Sequence, residues 1–193
     1  MRTRLVRTLA LLALAPLAAC TDAAPEPPLA PEVQLAKVGG NARATGGGQY
    51  VLTLGDDDLQ GTFSFNAKDK PNGTTDGRLR YTIDFFGQEI DFRGDVTCLT
   101  VDAENGRAWI GGVITANTSE AEPFASGEIY QPGKDIWFRV LDDGEGGGAV
   151  DRTTFVGFEG GGGIITSQEY CEAAIWPDGN ARTWPVTGNI QVR

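Results

Sequence analysis

Arg78-Leu79-Arg80-Tyr81-Thr82-Ile83-Asp84-Phe85 decides the fold of this chain. Leu79, Tyr81, Ile83 and Phe85 alternate strictly with Arg78, Arg80, Thr82 and Asp84. That period of two gives one apolar face and one charged face, as in an antiparallel sheet lying on a core. Gly87-Gln88 offers a tight turn. Ile90 and Phe92 then resume the inward face against Asp91 and Arg93, so residues 78–86 and 89–97 read as a hairpin. Working outward, Tyr50, Leu52 and Leu54 alternate with Val51 and Thr53, and Phe63, Phe65 and Ala67 with Thr62, Ser64 and Asn66. An apolar run covers 96–101, and Asn105-Gly106 is a strong turn signal because both residues tolerate positive φ. A strand from Ala108 to Val113 follows, with Gly111-Gly112 marking a bulge or a close backbone approach. Further strands are expected over 128–131, 136–141, 151–158 and 188–193, and no long helical pattern is present. The spacing predicts an all-β domain over 49–193, an antiparallel β-sandwich or small β-barrel of about eight or nine strands.

Composition narrows the chemistry. The chain has 26 acidic against 16 basic residues, a net charge of −10, and no histidine. Nucleic acid and anionic head groups are bound through Lys and Arg, so neither is expected as a partner. Cations and basic partners remain. Without histidine the commonest general base, the Ser-His and Cys-His nucleophile pairs and the commonest metal ligand are all missing. Glycine, at 27 residues, fits many tight turns between short strands.

The N-terminus reads as an address. Arg2, Arg4 and Arg7 precede a short apolar stretch over 9–17, far below the roughly 20 residues of a bilayer span. Leu17-Ala18-Ala19-Cys20 resembles the lipobox of bacterial lipoproteins. The resemblance implies cleavage after Ala19 and lipidation of Cys20, hence an exported protein held by lipid to the cell envelope, in the outer membrane if the organism has one. Thr21, and not Asp, follows the cysteine, so the retention signal that keeps some enteric lipoproteins at the inner membrane is missing. A signal over 1–19 would remove three arginines and no acid, taking the net charge from −10 to −13. Residues 20–48, with clustered prolines and then Gly39-Gly40 and Gly46-Gly47-Gly48, read as a lipidated cysteine and a disordered tether. Residues 33–38 could alternatively form a short helix or edge strand.

Three cysteines in an exported chain divide into one lipidated Cys20 and one pair, Cys98 with Cys171. The alternative is two buried free thiols.

A second resemblance covers roughly 61–193. Phe63-Ser64-Phe65-Asn66-Ala67, Val96-Thr97-Cys98-Leu99-Thr100-Val101, Asn105-Gly106-Arg107-Ala108-Trp109-Ile110-Gly111-Gly112, Asp142-Asp143-Gly144-Glu145-Gly146 with Asp151-Arg152, and Gly188-Asn189-Ile190-Gln191-Val192 occur in one order. This series resembles a group of exported bacterial β-domains without an assigned activity. It implies a fold unit and no mechanism.

Three groups of residues could carry chemistry. Asp142, Asp143, Glu145 and Asp151, on a glycine-rich loop, offer hard oxygen ligands for calcium, although a solvated loop explains them equally and their spacing is not that of an EF-hand. Asp84, Glu89, Asp91 and Asp95 lie on or near one hairpin and could form a hydrolytic carboxylate pair, but Asp84 and Asp91 share the outer face with Arg80 and Arg93, where cross-strand ion pairing is simpler. Trp109, Trp137, Trp176 and Trp184 could stack on sugar rings or form a ligand cup, Trp109 and Trp137 foremost. Because Trp137 lies on the face opposite Ile136, at least one side chain is expected exposed or at a rim; core packing is the competing account. Asn72-Gly73-Thr74, Asn117-Thr118-Ser119 and Asp56-Asp57-Asp58 read as turn residues. The sequence therefore points to a monomeric, lipid-anchored binding or structural module for a protein or glycan, with no cofactor. A small carboxylate-dependent hydrolase and a calcium-stiffened adhesion module are the alternatives.

Overall fold

A computed structural model describes residues 41–145, 148–160 and 163–193. Nine strands and one helix follow in order: β1 (Arg43–Leu54), β2 (Asp57–Asp69), β3 (Thr75–Phe85), β4 (Gln88–Asp102), β5 (Arg107–Asn117), β6 (Asp135–Leu141), β7 (Arg152–Thr153), β8 (Gly157–Phe158), α1 (Ser167–Ala173) and β9 (Trp184–Val192). Strands pair antiparallel in chain order from β1 through β7, β8 pairs with β6, and β9 pairs with β7 and returns to β1. The result is a closed eight-stranded up-and-down barrel. Closure removes most of the free edge that an open sheet would have. β7 and β8 lie along the same edge of β6, one residue out of register, and β8 is the additional ninth strand.

The alternation read from the sequence sets the inward face. Tyr50, Phe63, Phe65, Tyr81, Phe92 and Phe138 project into the lumen and are buried. Their rings contact across it, with centroids 5.4 Å apart for Phe63–Tyr81, 5.0 Å for Tyr81–Phe138 and 5.1 Å for Phe65–Phe138. Tyr81 keeps its hydroxyl inside by sharing a 2.7 Å hydrogen bond with Thr153. One end is plugged by the connection between β5 and β6, whose Phe124 and Tyr130 pack on Phe92 and Phe158.

Strands β4, β5 and β6 are buried on both faces. The inner face meets the barrel core, and the outer face is covered by α1 and the chain that follows it. Two-sided burial explains why 96–101 and 136–141 are near-continuous apolar runs and do not alternate. Four expectations need correction here. The domain begins before residue 49, because β1 takes in Gly46, Gly47 and Gly48. A side chain at Gly48 would meet the Thr187 carbonyl at 2.5 Å, so the glycines serve close strand approach and not looseness. Residues 128–131 form a short 3-10 turn at Glu128–Tyr130, which aims Tyr130 at the aromatic plug. The closing strand starts at Trp184, well before 188. Finally, α1 exists: Thr166 accepts from the Glu169 amide, and the Glu169 carboxylate accepts from the Thr166 amide, a capping box.

Two turns of helix are not stable alone. Cys98 and Cys171 are joined, with S–S 2.09 Å and Cα–Cα 6.2 Å. The bridge ties α1 to β4. It closes a separation of 73 residues, which should be worth roughly 4 kcal/mol through the unfolded chain. We expect Cys98→Ser/Cys171→Ser to lower the unfolding free energy from denaturant titration by about that amount, and no alkylatable thiol at either position in protein purified without reductant.

Candidate functional site

Strand pairing around the barrel is interrupted on the β7 side of β9, where carboxylates fill the gap, and between β3 and β4, where a cleft lies. β3 and β4 pair from Phe85↔Gln88 down to Arg78↔Asp95, and there the pairing stops. β4 continues to Asp102, paired only with β5. Among the described residues no strand pairs with the other edge of β4 over 96–102. Two features meet here: β3 begins only at Thr75, so 99–102 outrun it, and a β-bulge places Val96 opposite Gly112 and Cys98 opposite Gly111, leaving Thr97 as the extra residue. A bulge bends its strand and increases its twist, so β4 leaves β3. Gly111 is required at this point, since a side chain there would lie 2.7 Å from both Cys98 Sγ and Ser167 Cβ.

The opening is a cleft of about 510 Å³. Its floor is Ala42, Leu99, Val101 and the disulfide. One wall is the β2–β3 turn with Thr74 and Thr75; the other is α1 with Gln168 and Glu172. Thr75 Oγ1 donates to Asp69 Oδ1 at 2.7 Å, and Thr100 Oγ1 to the Cys171 carbonyl at 2.7 Å. The lining holds two carboxylates, Asp69 and Glu172, with no basic and no aromatic side chain.

The residues singled out from the sequence lie elsewhere. Cys20 falls outside the described residues. Trp109 and Trp137 are not open to a ligand; they are 2% and 4% exposed. Trp109 points outward beneath the chain after α1, donates to the Ile175 carbonyl at 2.9 Å and meets Trp176 edge-on. Trp137 stacks on Tyr170, whose hydroxyl burial pushes up to about 12. The exposed rim expected for one of them is filled by a helix that the strand pattern does not announce.

The acidic loop is tied to backbone. Asp142 accepts from the amides of Gly144 and Val192, Asp143 from Val150, and Asp151 from Asp143 and Ile190, at 2.6–3.1 Å. β7 pairs with β9 over two residues only, and the carboxylates of Asp142 and Asp151 then take up β9 amides that lack a strand neighbour. Burial raises the Asp151 carboxyl, aided by the charges of Asp142 and Asp143, against the two amides that lower it. Glu145 is exposed. Among the described residues, no group of three or more Asp, Glu or Cys side chains is gathered as a metal site.

On the hairpin, Asp84 accepts from the Gly87 amide at 2.7 Å, Glu89 is exposed, and Asp95 lies 4.0 Å from Arg78. Asp91 is 2% exposed. Arg80 grips it with two bonds of 3.0 and 2.9 Å, Arg93 reaches it at 3.4 Å, and Thr118 donates at 3.1 Å. Asn117 and Asn72 serve turns, as their motifs suggest: Asn117 Nδ2 donates to the carbonyls of Phe124 and Tyr130, and Asn72 accepts from Thr74.

The cleft is what sequence reasoning missed. Its signal was present in the apolar run across Thr97 and in Gly111-Gly112, but a bulge read from sequence does not say which strand is driven from its neighbour. Comparison of the chain with family models, with curated proteins and with solved structures gives no match.

Burial pushes the Asp91 carboxyl up, but its bonds to Arg80 and Thr118 and the charges of Arg80 and Arg93 outweigh this and hold it below the ordinary aspartate range. A lowered carboxyl stabilises the fold above the unfolded value and loses that contribution as the pH falls through the folded value. Asp91→Asn leaves Arg80 directly opposite Arg93. We expect it to cost on the order of 2 kcal/mol at pH 7, and its stability to change less than the parent's below about pH 4, measured by denaturant unfolding across pH.

Proposed function

We propose that the chain is a lipid-anchored envelope protein whose barrel is a binding module, with the β3–β4 cleft as its binding face. One observation carries the reading: in a barrel packed with aromatic rings, the β3–β4 pairing stops along β4 beside a cleft of ligand size. Ala42, where the chain enters the barrel, itself lines that cleft. A tether from Cys20 would therefore reach the domain at its binding end. The hydrolase alternative is less well supported, because Asp91 is committed to two arginines and Asp84 to a turn. The calcium alternative is weakened by the backbone amides that occupy Asp142, Asp143 and Asp151.

Two experiments bear on this. For the anchor, Cys20→Ala should move the protein from the membrane fraction to the soluble envelope fraction; membrane retention after detergent-free washing contradicts the lipid. For the binding face, Thr97→Trp fills the cleft from an exposed position. Peptide and oligosaccharide pools screened by thermal unfolding should include one that raises the Tm of the parent by mass action and leaves Thr97→Trp unmoved. Equal shifts in both proteins, or none in either, reject the cleft.

A further inference from the structure

We propose that the cleft takes an extended peptide carrying lysine or arginine, added as a strand on the open edge of β4; this rests on the binding-face reading above. A strand edge without a partner presents a row of amide and carbonyl groups, which is the template for β-augmentation. The edge of β4 over 96–102 is such a row, seven residues or about 24 Å long at strand rise. It is bordered by walls that would hold a single added strand: the β2–β3 turn on one side and α1 on the other.

The lining selects the chemistry. An added strand points alternate side chains to opposite faces. Those turned inward meet Ala42, Leu99 and Val101, which suits small or β-branched apolar residues. Those turned outward pass Glu172 on α1, and Asp69 lies at the turn. With two carboxylates and no cation in the lining, basic side chains are favoured and acidic ones repelled. The absence of an aromatic ring from the lining argues against a glycan, which would need a stacking platform, and the exposed Thr97 hydroxyl is placed to join a polar main chain. The net charge of −10 favours approach of a basic partner over the whole surface.

The test uses the full chain in detergent micelles. The probe is a blocked hexapeptide of alternating valine and lysine. Its two controls are the same peptide N-methylated at alternate amides, and a valine–glutamate counterpart. We expect the valine–lysine probe to bind and to slow hydrogen exchange at 96–102. N-methylation should weaken binding more than about tenfold, since several main-chain bonds are lost together. Glu172→Lys, a change on the exposed side of α1, should weaken it about two- to fivefold, as one solvent-exposed ion pair allows. The valine–glutamate peptide should bind weakest.

Equal affinity for the N-methylated probe overturns strand addition. So does an equal affinity for the glutamate peptide, or binding without slowed exchange at 96–102. If no probe binds and 96–102 is already protected in the free protein, the chain's own N-terminal residues cover the edge, and the proposal fails. These outcomes are separable from failure of the cleft itself: a pool that shifts the parent but not Thr97→Trp keeps the binding face while removing the added strand.

Discussion

The bulge at Thr97 is the constraint on which the rest of the molecule depends. By placing two residues of β4 opposite Gly111, it turns Cys98 to the outer face while Leu99 and Val101 stay inward. That turn lets the disulfide form with α1. The same kink, with the late start of β3 at Thr75, carries β4 off β3 and opens the wall. A covered outer face and an open seam thus both depend on one inserted residue, and both need a glycine at 111, where Cys98 and Ser167 come too close for any side chain.

Acidic side chains do much of the backbone's work in this barrel. Where β7 is too short to pair along β9, Asp151 and Asp142 accept the amides of Ile190 and Val192. Where the chain after β5 crosses the outer face of β4, Asp91 gathers Arg80, Arg93 and Thr118. A buried amide without a partner costs more than a hydrogen bond contributes, so a closed barrel with irregular strands needs such acceptors. The acidic composition thus has a structural use beyond solubility, and this weakens the case for reading each acidic cluster as a metal or catalytic site.

The aromatic residues divide between two jobs. Phe63, Phe65, Tyr81, Phe92 and Phe138 fill the lumen, so the barrel offers its surface and not its interior to partners. Trp109, Trp137 and Trp176 belong to a second, outer layer, where Arg107 and Arg139 lie over the Trp176 ring at 5.1 and 5.3 Å. That layer stiffens the β4–β6 side of the barrel. The β3–β4 side, where the cleft lies, has no such cover beyond the edge of α1.

The sequence by itself determined the strand class, the inward face of β2 and β3, the hairpin turns and the pairing of Cys98 with Cys171, because alternation, turn chemistry and cysteine number are local or arithmetical properties. It did not reveal α1, though Thr166-Ser167-Gln168-Glu169 is a capping signature, because seven residues are too few to show a helical period. It misjudged the glycines of β1 and the exposure of Trp109 and Trp137, because both depend on what lies across from them. Closure of the sheet into a barrel, the carboxylates that complete β9, and the cleft beside β4 were decided only by tertiary structure: each arises where residues far apart in the chain meet, and where one strand's path removes another strand's partner.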